Sequence, residues 1–379
     1  MLYAFAGAPD GANPWGGVSL DQNDDVFGTT HAGGTSSRGT VFELTNTGSG
    51  YSESIVHEFG SDGNSPDAAP LEDDLANLYV TYEGGATKGS AGGVVELSPG
   101  ADGFQETGTF DFKSTRGAAP ASPLLEVTSG SFGSKRQLGY ISTLYTPASK
   151  GGKYGFGSLA SFSLSLSYTD LYNFRGPAKG DGAYPTGAVA IDPEDPTLGV
   201  YGSTTGGGSA NAGTVFQYEP TTKTETVLYS FKGGAADGAA PVSGVIVDTS
   251  GNIYGTTQTG GPNNAGVLFK LTKGTSGFTE SVLHAFGAGG DGAAPLAAPS
   301  LSAKGNELYG TTSAGGANGV GTIYAIGIGG AGYKVLHSFS APSGSTPGTG
   351  SLAVSPTALY GTTESGGAGS AGVVFSFTL

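Results

Sequence analysis

Leu308-Tyr309-Gly310-Thr311-Thr312-Ser313-Ala314-Gly315-Gly316 decides the fold, because the same stretch keeps returning. It recurs as IYGTTQTGG from Ile253 and LYGTTESGG from Leu359. Weaker copies are VFGTTHAGG from Val26, VYGSTTGGG from Val200, LYVTYEGG from Leu78 and GYIST from Gly139. Taking Phe27, Tyr79, Tyr140, Tyr201, Tyr254, Tyr309 and Tyr360 as one register gives seven copies, 51 to 61 residues apart. A period of that size marks a repeated supersecondary unit.

The fifth copy shows the unit's grammar. Val245–Asp248, Ile253–Thr257, Val267–Leu271 and Ser281–Phe286 are apolar alternations of about five residues, the period-two pattern of strands. We label these strands a, b, c and d. Gly290-Asp291-Gly292-Ala293-Ala294-Pro295 then leads into the next unit, with the Gly and Pro chemistry of a turn. Seven units of four antiparallel strands predict an all-β, seven-bladed β-propeller. A solenoid would need polar caps, and neither end offers one. The last unit stops after Val373–Leu379, a strand c, while the chain opens with Leu2-Tyr3-Ala4-Phe5, which matches the strand d Leu336–Phe339. The N-terminal strand Leu2–Phe5 is therefore expected to close the last blade and remove the open edge. The blades fall at about 14–59, 66–112, 120–174, 185–231, 241–286, 295–339 and 347–379 plus 1–5, in one domain.

The repeat also resembles the bacterial tandem-repeat proteins labelled GloVer. Their LYGTT, GG, GTVF, VLHSF and DG-to-Pro elements are similar to Thr214-Val215-Phe216, Val335–Phe339 and Asp237-Gly238 with Pro241 here. The resemblance implies a propeller and an exported or surface-attached bacterial protein. It implies no established activity and supplies no catalytic residues.

Composition narrows the function classes. With 71 glycines, 12% charged and 10% aromatic residues, the chain has too many aromatics for a disordered one. The absence of cysteine excludes disulfides and thiolate metal sites. A net charge of −15 argues against a nucleic-acid binder. Residues 1–111 carry a net −15, residues 112–180 a net +6, and residues 181–379 a net −6. The first residues already read as a repeat strand, without a signal peptide, and no apolar run is long enough to span a membrane. Few lysines and many Gly, Ser, Thr and Asn residues favour an extracellular or cell-envelope location, with the targeting segment removed.

Comparing the blades with one another separates scaffold from exception. His57, His284 and His337 share a strand-d position that Tyr3, Phe110, Tyr172 and Tyr229 fill elsewhere, so they read as structural. Asp10, Asp62, Asp181, Asp237 and Asp291 precede glycine in a turn where Asp bonds its own backbone. Asp21-Gln22-Asn23-Asp24-Asp25 lacks the glycine and distal glutamate of a calcium loop. No metal or cofactor motif stands out.

The exceptions fall on the face of the b–c and d–a loops, over blades one to four. They are Trp15, His31, Tyr82, Glu83, Lys88, Tyr184 and an apparent blade-three insertion containing Tyr145, Lys150, Lys153 and Tyr154. Tyr184 is read as the counterpart of Trp15. Aromatic faces suit sugar rings, and the lysines, with Lys135 and Arg136, could meet an acidic glycan; the alternative is that blade three has simply drifted. The leading expectation is a non-catalytic propeller binding a polysaccharide or cell-surface partner. One rival is a glycan lyase using His31, Tyr82 and Lys153, or a hydrolase with Glu83 as acid. The other is a self-associating structural subunit of a surface assembly.

Overall fold

The computed structural model describes residues 1–61, 63–85, 90–120, 122–128, 142–195, 197, 199–275 and 277–379. Seven antiparallel sheets form the blades of a propeller, each built on four strands with strand a innermost and strand d outermost, and blade seven's sheet gains a fifth in Ser345–Pro347. In blade one these are Val18–Leu20, Val26–Thr30, Thr40–Asn46 and Tyr51–Glu58. Blade seven combines Ala353–Val354, Ala358–Ser365 and Val373–Thr378 with Tyr3–Ala4 from the other end of the chain. Tyr3 pairs with Val374 and Ala4 with Val373. Leu2 N and Phe5 N donate to Val374 O and Gly372 O, so the whole expected strand Leu2–Phe5 closes the ring.

Apolar residues of adjoining sheets make seven clusters, one at each seam between blades. At the closing seam Phe5, Phe42, Leu44 and Val374 are fully buried together. Within a blade the motif divides its labour by residue. The leucine is buried. The glycine lies under an aromatic ring of strand c, and a Cβ on Gly255 would sit 2.6 Å from Phe269. The first threonine ties to the next blade: Thr29, Thr81, Thr256 and Thr362 donate to the carbonyls of Ala68, Ser122, Ala297 and Gly16. The second binds its own turn, as Thr30 Oγ1 does with Ala32 O at 2.8 Å.

Blade three corrects the reading of the repeat. Its strand b is Ser142–Ala148, with Ala148 opposite Ser158 as Thr257 is opposite Val267 in blade five. Leu144-Tyr145-Thr146-Pro147-Ala148 is thus the third copy, and Tyr145, not Tyr140, holds the register. Ser149-Lys150-Gly151-Gly152 is then the ordinary turn, not an insertion. The extra residues precede strand b, where 129–141, with Tyr140, Lys135 and Arg136, lie outside the described residues.

Each seam is locked by one arrangement used seven times. The residue before the entry proline has positive φ in every blade: Asn13, Ser65, Ala119, Tyr184, Ala240, Ala294 and Thr346, at 52 to 61°. Its amide donates back to the preceding blade, as Asn13 does to Ala371 O and Ala240 to Ala212 O. The proline ring then covers a positive-φ glycine of that blade. A Cβ on Gly266 (φ 90°) would lie 2.1 Å from Thr257 O and 2.8 Å from Pro295 Cδ.

The outer seams hold titratable pairs. Burial, then the Asp181 carboxylate, pushes Glu225 up to about 8, and burial with Asp237 pushes Glu280 up to about 7. One oxygen of each is buried without a hydrogen-bond partner. A raised carboxyl stabilises the fold below its unfolded pKa and loses that contribution as pH rises through the folded value. Glu225→Gln should therefore raise the unfolding temperature at about pH 9 relative to the parent, and raise it less at about pH 5. Gly266→Ala should cost at least about 2 kcal/mol in urea unfolding. Gly234→Ala (φ 77°, with open space around it) should cost about 1 kcal/mol. Equal losses would contradict the seam account.

Candidate functional site

The residue that follows LYGTT occupies one ring position in all seven blades: His31, Glu83, Ser149, Thr205, Gln258, Ser313 and Glu364. The seam fixes its backbone, because His31 N donates to Asn13 O at 3.0 Å and Glu83 N to Ser65 O at 3.1 Å. Ring closure makes blade seven the neighbour of blade one, so Glu364, His31 and Glu83 are consecutive around the axis.

These three line the mouth of a central cavity of about 730 Å³, together with Asn13, Trp15 and Asp67. Asp67 follows the entry proline of blade two, at the position Trp15 holds in blade one. His31 Nδ1 meets Asp67 Oδ1 at 2.6 Å. That bond holds the imidazole pKa above the ordinary histidine value against the opposing effect of partial burial. With Nδ1 committed to Asp67, Nε2 is the ring nitrogen left for a ligand. Burial raises the Glu83 carboxyl, and Asp67 raises it further, while Lys150 and His31 act against both. Burial also raises Glu364, with His31 opposing. Asn13 Nδ2 donates to Glu364 O at 3.2 Å, tying blade one to blade seven beneath the site. Among the described residues, no lysine or arginine lines the cavity.

Of the expected residues, the structure brings Trp15, His31 and Glu83 together. Tyr82 does not join them. It is fully buried, and its hydroxyl donates to Asp111 Oδ1 at 3.0 Å, so it is no base for a substrate. Tyr145 is the motif tyrosine, 8% exposed and packed between blades three and four. Lys150 is exposed on the rim, and Lys153 and Tyr154 pair with each other, the ammonium 5.3 Å from the ring centroid. Tyr184 is exposed beside Phe156, at 5.9 Å between centroids. It precedes its proline whereas Trp15 follows one, so the two are not counterparts. Lys88 lies outside the described residues.

Asp67 and Glu364 were not singled out by the sequence reading. Asp67 stands where other blades carry Trp, Ala, Thr, Val, Leu or Gly, which was a usable signal. The structural readings of His284 and of Asp10, Asp181, Asp237 and Asp291 agree with the structure, while Asp62 lies outside the described residues. The hydroxyls of Tyr3, Tyr172 and Tyr229 donate to Asp10, Asp181 and Asp237, and His284 Nε2 meets Asp291 at 2.7 Å. These carboxylates also accept the following glycine amides, as in Gly238 to Asp237. Asp21 binds the amides of Asn23 and Asp25 within its own turn.

Residues 134–302, a little under half the chain, match the model of the Gloeobacter/Verrucomicrobia repeat. That match, on a β-propeller fold, fits the resemblance read from the repeat. No curated protein sequence matches it significantly. Among solved structures, it is similar to the extracellular domain of a candidate hybrid two-component system from B. thetaiotaomicron. That TM-score is 0.59 at 12% identity, covering 97% of this chain and 39% of the other. A hypothetical selenium-binding protein from Sulfolobus tokodaii matches with TM-score 0.56 at 9% identity, covering 95% and 85%. A candidate 6-phosphogluconolactonase from Bacteroides fragilis matches with TM-score 0.50 at 14% identity, covering 92% and 86%. At these identities the likenesses show the fold alone.

The His31–Asp67 pair sets a pH dependence. The folded pKa of His31 is raised, so the pair stabilises the repeat propeller below the unfolded histidine value of 6.5, and the contribution fades as pH rises through the folded value. Asp67→Asn should lower the His31 pKa in an NMR titration and destabilise the protein more at about pH 5.5 than at about pH 8.5. An unchanged His31 titration would contradict the pairing.

Proposed function

We propose that this protein binds a saccharide chain in the mouth of its channel, over blades seven, one and two, and leaves it chemically unchanged. The observation that carries the reading is the convergence of Trp15, the His31–Asp67 pair, Glu83 and Glu364 on one concave space. Its size falls within the range of small-ligand pockets. An indole offers a flat apolar face with a polar edge, and carboxylates accept hydrogen bonds from sugar hydroxyls. Lys150 and Lys153 stand outside this space, so the proposal centres on blades seven to two and not on the wider face. That the protein acts outside the cell or in its envelope is part of the same proposal, supported by composition.

A second reading is favoured by one observation: Glu83, raised by burial, shares the cavity with a His–Asp pair. A carboxyl with a raised pKa is the kind of group that serves glycan hydrolysis as general acid. The lyase arrangement built on Tyr82 has no support, since that hydroxyl is buried and bonded.

Trp15 is the only tryptophan, so its emission reports this cavity directly. A panel of neutral, acidic and basic oligosaccharides should include at least one that shifts Trp15 emission. Trp15→Ala should weaken that oligosaccharide's binding in calorimetry at least about tenfold. Mass spectrometry of the recovered oligosaccharide should show it intact. New products that vanish in Glu83→Gln would move the assignment to the hydrolase.

A further inference from the structure

Charge in and around the cavity identifies the class of ligand more narrowly. Among the described residues, the titratable side chains lining it are His31, Asp67, Glu83 and Glu364, three acids against one base. His31 and Asp67 neutralise each other at 2.6 Å, which leaves Glu83 and Glu364 on either side of them. Among the described residues, Lys150, exposed on the rim, is the cation that acts on Glu83 from outside, and His31 acts on both glutamates. The surroundings have the same sign, because residues 1–111, blades one and two, carry a net −15. A negative concave site in a negative surface attracts cations and repels uronates and sulfates.

A further observation is independent of the acids. Ser122, 2% exposed, lines the same cavity, and its hydroxyl has no hydrogen-bond partner. A buried hydroxyl left unpaired costs free energy, and a polar ligand group would relieve that cost. Trp15 adds an aromatic face, which attracts ammonium groups as well as sugar rings.

We propose that the cavity takes an amino sugar with a free ammonium group, the cation held by Glu83 and Glu364 and the ring against Trp15. This deepens the saccharide-binding reading and rests on it. It replaces the acidic glycan that the lysine-bearing sequence around blade three suggested. Glu83 and Glu364 are raised in the free protein because nothing in the cavity compensates their burial fully. A bound ammonium lowers both, so binding releases protons, and the observed heat depends on the ionisation heat of the buffer.

The probes are a glucosamine tetramer, its N-acetylated counterpart, cellotetraose and tetragalacturonate. They are titrated at about pH 6, where an amine is protonated, following both Trp15 emission and heat. The glucosamine tetramer should bind at least about tenfold more tightly than its N-acetylated counterpart, and the difference should shrink with added salt. Glu83→Gln with Glu364→Gln should remove that difference by weakening the glucosamine tetramer much more than the N-acetylated one. Lys150→Glu, an exposed rim substitution, should tighten binding of the glucosamine tetramer. The parent's unfolding midpoint and unliganded Trp15 emission serve as the folding control for each variant. Equal binding of the amine and N-acetyl tetramers, or preference for either of the other two, with Trp15 responding, would overturn the charge assignment and leave the site standing. No Trp15 response to any of the four would overturn both.

Discussion

The seam between blades depends on a residue held at positive φ just before a proline. That conformation aims its amide at a carbonyl of the preceding blade and lays the proline ring over a glycine there. Only glycine fits beneath the ring, and the proline has no amide to leave unpaired at so crowded a point. Asn13, Ser65 and Tyr184 show that the position accepts different side chains while the backbone stays the same. Because Pro14 meets Gly372 as Pro295 meets Gly266, the closing seam has the geometry of the internal ones. The N-terminal strand then completes a ring with no unpaired sheet edge.

The same constraint creates the site. Each seam also fixes the backbone of the residue after LYGTT, so seven side chains are delivered to one ring at the channel mouth. The scaffold does not determine what they are. Blades three to six place Ser149, Thr205, Gln258 and Ser313 there, all neutral, while blades seven, one and two place Glu364, His31 and Glu83. Adding Asp67 and Trp15 from the entry loops makes one arc of the ring chemically distinct from the rest. Rigid elements holding a few unusual side chains are the common design of propeller binding sites.

Most of the architecture is legible in the sequence, because every blade repeats the same steric demands. The failure in blade three has a physical cause. Pro147 and Ala148 replace the two threonines, whose roles are hydrogen bonds of the turn and the seam. Leu144–Ala148 therefore pairs like its counterparts without spelling the motif, and Tyr140 offered a false register. That slip moved Tyr145 from the core to an imagined loop. Trp15, His31 and Glu83 were legible as departures from the repeat. Glu364 was not, since beside Gln258 and Ser313 it looks like ordinary variation at an exposed turn. Its importance comes from ring closure, which brings the last blade next to the first. Tyr82 was misread for the opposite reason: it departs from the repeat in order to fill the seam between blades one and two, against Phe59 and Gly93.

The account's central claim is that ligand recognition belongs to the channel mouth over blades seven, one and two. Hydrogen–deuterium exchange with and without a saturating mixture of glucosamine and N-acetylglucosamine oligomers tests it most directly. The account predicts added protection at residues 13–17, 29–33, 65–69, 81–85 and 362–366, and none at 150–156. Protection confined to the blade-three rim, with the channel mouth unchanged, would contradict it.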